Sequence, residues 1–135
     1  MATAFQLRIV TPNRLLLDEP VREVTGPGTL GEFGVLPDHI TFLTSLEIGA
    51  LSYRSERGTQ RLAVRGGFAE VANNVMTVLA DDAALAQDID PAKARADLQA
   101  AEAQLKDLSP LDDAYVATDA GRRWAQARLD LSGAR

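Results

Sequence analysis

Up to about Leu79 the apolar positions fall at every second residue, the period of a strand with one buried face. Phe5, Leu7 and Ile9 alternate with Gln6 and Arg8, and Leu62 and Val64 alternate with Arg61, Ala63 and Arg65. Leu15 and Leu17 face one way around Leu16. Val71 precedes the pair Asn73-Asn74, and Met76 and Val78 follow it. Asparagine tolerates positive φ, so this pair predicts a hairpin turn. Gly58 after Glu56-Arg57 predicts another. Gly66-Gly67 predicts a bulge or corner, and Gly26-Pro27-Gly28 a loop. Many short strands at close spacing imply an antiparallel sandwich or barrel, covering roughly residues 3–86.

The period then changes. Asp90 followed by Pro91 is a helix N-cap with proline at the first helical position. Ala94, Leu98, Ala101, Leu105 and Leu108 follow at spacings of four and three, one stripe of a helix that Ser109-Pro110 stops. A second helix is predicted from Asp112 or Asp113 to about Leu131, with a stripe of Ala117, Gly121, Trp124 and Leu131 and with Arg128 in register. The fold class is therefore β + α: an antiparallel β-sandwich domain over residues 1–87 and an α-helical hairpin over residues 88–135. The seam of this hairpin is mostly alanine. A buried leucine contributes about 1.5–3 kcal/mol and alanine much less, so the hairpin must lean on the sandwich or on another protein. Little holds it to either, so it can exchange between them.

Composition narrows the function. Of the 135 residues, 46 % are hydrophobic, enough for a real core. There is no cysteine, which removes disulfides, thiolate nucleophiles and cysteine-ligated metals. The net charge of −5, without a basic stripe, argues against nucleic acid and against an anionic membrane surface. No apolar run approaches the ~18 residues of a membrane span, and no signal peptide is expected from the MATAFQLRIVTP start.

The candidate chemistry is sparse. His39, the sole histidine, lies beside Gly31 and Gly34 in GEFGVLPDH, with Asp38 adjacent and the hydroxyls of Thr41, Thr44 and Ser45 nearby. No nucleophile–base pair is marked among them, so a turn or interface histidine is expected and no catalytic residue. One histidine without cysteine predicts no metal site. Gly31 and Gly34 fit neither GxxxxGK[ST] nor GxGxxG and predict positive φ and close backbone approach. The pairs Asp81-Asp82 and Asp112-Asp113 sit at element ends, where acidic residues cap. Asp90, Lys93 and Arg95 at a helix N-terminus form a candidate phosphate site, with ordinary capping favoured over it. Arg122, Arg123 and Arg128 gather in the last helix, as a solvated face or as a docking face for an acidic partner.

Gly31 to His39 resembles the GExGxxPxH signature of the epsilon subunit family of F-type ATP synthases. The opening FQLRIVTP, Thr41-Phe42-Leu43-Thr44, Gly66 to Val71 and Asn74 to Asp81 resemble further family segments, in the family's order. The resemblance implies a β-sandwich followed by two helices. It implies a non-catalytic subunit at the foot of the central stalk, bound to γ and to the c ring, which couples proton flow to ATP synthesis. The family places the loop of Gly31, Glu32, Gly34 and His39 against the c ring, with Glu32 as the contacting residue. The hairpin can extend toward the α and β subunits and restrain ATP hydrolysis. No nucleic acid and no membrane insertion are implied. The expected location is peripheral, on the cytoplasmic face of the bacterial inner membrane or the stromal side of the plastid thylakoid. Some members bind ATP through [IL]DxxRA. Here the stretch Ile89 to Ala94 carries Asp90, but Lys93 replaces the arginine and Gln87 replaces an acidic residue. No cofactor is therefore expected, with ATP at Asp90 and Lys93 the one candidate ligand. Without the resemblance, the strongest rival is a free-standing β-sandwich binding module with a helical dimerisation hairpin, and a sandwich enzyme comes third.

Overall fold

The computed structural model describes residues 2–133. Ten strands precede two helices: β1 (Phe5–Thr11), β2 (Arg14–Val21), β3 (Glu23–Gly28), β4 (Gly31–Val35), β5 (Phe42–Ser45), β6 (Ile48–Ser55), β7 (Gly58–Arg65), β8 (Phe68–Ala72), β9 (Val75–Leu79), β10 (Ala83–Leu85), α1 (Pro91–Lys106) and α2 (Asp113–Leu131). They form two five-stranded sheets, ordered β2-β1-β9-β8-β5 (the first sheet) and β10-β7-β6-β3-β4 (the second). All pairings are antiparallel except β1 with β9, which is parallel. Parallel neighbours need a long connection, and here most of the sandwich lies between the two strands. The inner faces meet over Leu7, Ile9, Val24, Leu51, Leu62, Val64, Met76 and Val78, all fully buried.

The turn chemistry takes the predicted form. Asn73 and Asn74 both have positive φ, 52° and 62°, in the tight β8–β9 hairpin. Gly58, at φ 102°, closes the β6–β7 hairpin. Gly66 and Gly67, at φ 68° and 101°, turn the chain from the second sheet into the first.

Four local expectations need correction. Gly26-Pro27-Gly28 is not a loop but the end of β3. The ladder to β6 stops at Thr25, so the missing N–H of Pro27 costs no bond. The two glycines leave room for Phe33, whose ring would stand 2.7 Å from a Cβ at Gly26. Leu15 and Leu17 do not share a face. The β1–β2 register shifts between Ile9 and Val10, pairing Ile9 with Leu17 and Val10 with Leu15. This bulge turns Leu15 outward, 50 % exposed, while Leu16 and Leu17 pack against the core. Ala63 does not face solvent with Arg61 and Arg65. It is buried beneath the hairpin, because α2 packs on the outer face of β6 and β7. In α2, Ala117 is exposed and Ala125 is buried instead. A single stripe misses this because α2 serves two neighbours, α1 and the sheet.

Helix α1 starts as expected. The carboxylate of Asp90 accepts from the N–H groups of Ala92 (3.0 Å) and Lys93 (3.3 Å). Its buried stripe is Ala94, Leu98 and Ala101, with Leu105 half-buried; the helix ends at Lys106, so Leu108, expected in the stripe, lies beyond it in the turn. Helix α2 begins at Asp113, and the Asp112 carboxylate accepts from Ser109 N–H at 2.8 Å, fixing the interhelical turn.

Candidate docking surfaces

The GEFGVLPDH stretch is an edge strand and a turn, not a loop throughout. Gly31, Glu32 and Gly34 lie in β4, the last strand of its sheet. Gly31 has φ 122°, as expected of a glycine. Gly34 has no such backbone, and a Cβ there would find only the Val24 oxygen, at 4.0 Å. The expectation of positive φ and intramolecular close approach at Gly34 is therefore corrected. Glu32 is exposed, and its carboxylate has no ion-pair or hydrogen-bond partner among the described residues.

Leu36 to His39 form a turn closed by His39 N–H donating to Leu36 O (3.2 Å), with Pro37 and Asp38 at its centre. Asp38 takes positive φ (64°) and is pinned from two sides: its N–H donates to Asn74 Oδ1 and its carboxylate accepts from Ala2 N–H, both at 2.9 Å. The half-buried His39 imidazole donates through Nδ1 to Ile40 O at 2.7 Å and sets its edge on Phe42, 5.7 Å between centroids. Phe42 also meets Phe33 at 5.6 Å. His39 thus orders the passage between the two sheets.

A second surface escapes the sequence pattern. Leu15, Val10, Leu79 and Phe68 are successive cross-strand neighbours on β2, β1, β9 and β8. They make an apolar row across the outer face of the first sheet, with Leu43 of β5 beside its end. Phe68 is 57 % exposed and Leu43 70 %. The hairpin packs on the other sheet, and among the described residues no element packs on this row. Exposed apolar groups contiguous over several strands mark an interaction site. The available signal was the broken alternation at Ile9-Val10, Val78-Leu79 and Phe42-Leu43, where both faces of a strand are apolar.

The arginines of α2 divide between partners within the chain. Arg122 pairs with Asp119 (2.8 Å), Arg123 with Glu47 before β6 (2.7 Å), and Arg128 with Asp97 of α1 (3.1 Å). Arg128 also lies over the Trp124 ring, 5.3 Å from its centroid. Asp97 takes Lys93 as well, at 3.2 Å. Hydrogen bonds first from Arg128 and then from Lys93 hold its carboxyl below the usual range. Because this pKa is depressed, the clasp contributes fully above the ordinary carboxylate range and is lost only on acidification through the folded value. Near neutral pH it responds to salt rather than to pH. Arg128→Ala should loosen the hairpin by about 1 kcal/mol. Fluorescence of Trp124, the only tryptophan, should report this, with a red shift and faster quenching.

Asp90 and Lys93 border a cavity of about 280 Å³ that Trp124 and Arg128 also line. Three acidic residues, Asp82, Asp88 and Asp90, line it, and both its cations are already engaged by Asp97. Among the described residues no group of three or more His, Cys, Asp and Glu is arranged to hold a metal.

These surfaces fit a protein built to be held by others. Residues 4–86 match the family described as the ATP synthase delta/epsilon chain, beta-sandwich domain. Over 133 residues the chain is 42 % identical to the ATP synthase epsilon chain of Citrifermentans bemidjiense, covering 98 % of this chain and 96 % of that one. Against the epsilon chain of Geobacter metallireducens the identity is 44 % at the same coverage. A chain of the Euglena gracilis mitochondrial ATP synthase OSCP/F1/c-ring assembly superposes with a TM-score of 0.80 at 26 % identity, over 96 % of this chain and 81 % of that one. A chain of the Tetrahymena thermophila central stalk and c-ring assembly shares the fold, with a TM-score of 0.65 at 18 % identity over 94 % of this chain and 95 % of that one. The match to the sandwich and the shared length with epsilon chains lead to one conclusion: this chain belongs to the ATP synthase delta/epsilon family.

Proposed function

We propose that the protein is the non-catalytic epsilon subunit of an F-type ATP synthase, a part of the central rotor that couples proton flow to ATP synthesis. The uncovered apolar row on the first sheet carries this reading. In a chain of net charge −5, Val10, Leu15, Leu43, Phe68 and Leu79 form a face that a stable partner must bury. We assign that face to γ, and the β4 end of the sandwich, with Glu32 and the His39 turn, to the c ring. The assemblies of its structural neighbours, F1 with c ring and central stalk with c ring, support both partners. Catalytic sites then lie on other subunits. No described helix is long and apolar enough to cross a membrane. In this reading the subunit meets the membrane through the ring, on the cytoplasmic side. Affinity purification of the tagged chain from its own cells should recover γ and c together; recovery of neither, from a folded bait, contradicts the assignment.

The hairpin is the regulatory arm in this proposal. It rests on the sheet through Ala63, Ala125 and the Arg123–Glu47 pair, contacts small enough to be exchanged for others. Removing the chain after Gln87 should leave a folded sandwich that still assembles, and ATP hydrolysis by the complex should rise. Unchanged hydrolysis would mean that the hairpin is no brake here. Nucleotide does not hold the arm in this protein. With acidic residues lining the cavity and Lys93 tied to Asp97, ATP should bind the isolated subunit no better than about 1 mM, roughly −4 kcal/mol. Calorimetry giving a micromolar Kd would overturn this.

A further inference from the structure

Positive φ explains an asparagine or a glycine at Asn74, but not the choice between them. Glycine takes that backbone more readily, having no Cβ to crowd. Asn73 and Asn74 share the conformation and differ in what their side chains do. Asn73 is exposed, and its side-chain amide makes no hydrogen bond among the described residues. The half-buried Asn74 amide bonds at both ends: Oδ1 accepts from Asp38 N–H and Nδ2 donates to Ala4 O, each at 2.9 Å. A donor on one side and a carbonyl on the other fix which way this amide faces. The Asn74 main-chain oxygen also accepts from Gln6 N–H at 3.2 Å. With Ala2 N–H on the Asp38 carboxylate, these bonds close a circuit through three segments: the stretch leading into β1, the β8–β9 hairpin and the turn of His39.

That turn has little to hold it from within. Between Val35 of β4 and Phe42 of β5 the chain passes from one sheet to the other outside any ladder. Its one internal main-chain bond among the described residues is His39 N–H to Leu36 O, and Leu36, Asp38, Ile40 and Thr41 are exposed. Asp38 keeps φ at 64°, a conformation that persists in a residue with a Cβ where the surroundings impose it. Here the Asn74 amide imposes it.

We infer that Asn74 is a positioning residue, whose side chain holds the His39 turn in the shape that docks on the c ring. The inference rests on the rotor-subunit reading above and adds what keeps the docking turn ready. A turn already in its bound shape loses less conformational freedom on docking, and this shows as tighter retention. The γ-facing row should not respond, because Phe68 and Leu79 stand at the far end of the hairpin from Asn74.

Two variants test it, Asn74→Gly and Asn73→Gly. Both preserve the positive-φ backbone of the hairpin, and only the first removes the clamp. Amide hydrogen exchange on the free subunits should find the Asp38 N–H protected in the parent and in Asn73→Gly, and exchanging about tenfold faster or more in Asn74→Gly. In the rotor of γ with the c ring, retention on the ring should fall about tenfold for Asn74→Gly and match the parent for Asn73→Gly. Affinity for γ alone should be unchanged in both. Retention of Asn74→Gly equal to the parent overturns the inference. So does an equal fall in both variants, which would trace the effect to the hairpin backbone, or an equal fall in γ affinity, which would trace it to the whole sandwich. Each of these leaves the functional reading standing. A parent subunit that never joins the ring overturns both.

Discussion

Phe68→Asp should cut the affinity of the subunit for γ by about three orders of magnitude while leaving the isolated chain folded. Phe68 is the bulkiest member of the apolar row and forms its β8 end, directly opposite Leu79 and with Leu43 of β5 on the diagonal beyond it. Burying such a ring against a partner contributes about 1.5–3 kcal/mol. Its replacement removes that term and places a carboxylate in a dry interface, where an unpaired charge costs several kcal/mol more. The sum is about 4 kcal/mol or above, and each 1.4 kcal/mol is a factor of about ten. In the free subunit the side chain is more than half in water, so the sandwich loses little. Circular dichroism should be unchanged, and surface plasmon resonance against γ should show the loss mainly as faster dissociation. Glu32→Ala on β4 should leave γ binding unchanged. A Phe68→Asp subunit that binds γ like its parent would move γ off this face.

Gly67→Ala should unfold the chain or nearly so. Gly67 sits where the second sheet hands the chain to the first, and its carbonyl accepts from Leu46 N–H at 2.8 Å. Its φ is 101°, a region in which L side chains are strained. A Cβ there would also overlap the main-chain oxygen of Leu79 and stand 2.8 Å from Cα of Ala80. Main chain inside a packed sandwich cannot step aside as a long side chain can. Strain and overlap together should exceed about 4 kcal/mol, most of the stability of a domain this size. Gly31→Ala meets only the φ penalty in open space and should cost about 1–2 kcal/mol. Urea titration of the two variants separates them. If Gly67→Ala melts within a few degrees of the parent, the corner is looser than its geometry implies.

The sandwich was legible because strand alternation and turn chemistry agree. Asn73-Asn74, Gly58 and Gly66-Gly67 mark corners that need positive φ, and residues such as Leu7, Val64 and Met76 mark the inner faces. Failures came where one residue serves two neighbours. Ala63 is inward to the helix rather than to the sandwich, and α2 presents Ala125 to the sheet while Trp124 is shared with α1. A bulge is invisible to a period-two count, which puts Leu15 on the face of Leu17 although the β1–β2 register shift separates them. The GEFGVLPDH stretch was found by resemblance, and its local physics was only half anticipated: Gly31 needs its backbone freedom and Gly34 does not. The apolar row lies hidden because its members come from two hairpins far apart in sequence, β1–β2 and β8–β9, and only the pairing register brings them together.

The central claim is that two regions of one sandwich hold it to the rotor, and disulfide mapping in the assembled synthase tests this directly. The chain has no cysteine of its own, so each introduced thiol reports alone. Glu32→Cys should cross-link to cysteines placed in the polar loop of c, and Phe68→Cys to cysteines on γ, with neither reaching cysteines on β. If the subunit remains bound in the complex yet Glu32→Cys joins no ring subunit and Phe68→Cys joins no part of γ, the account is wrong.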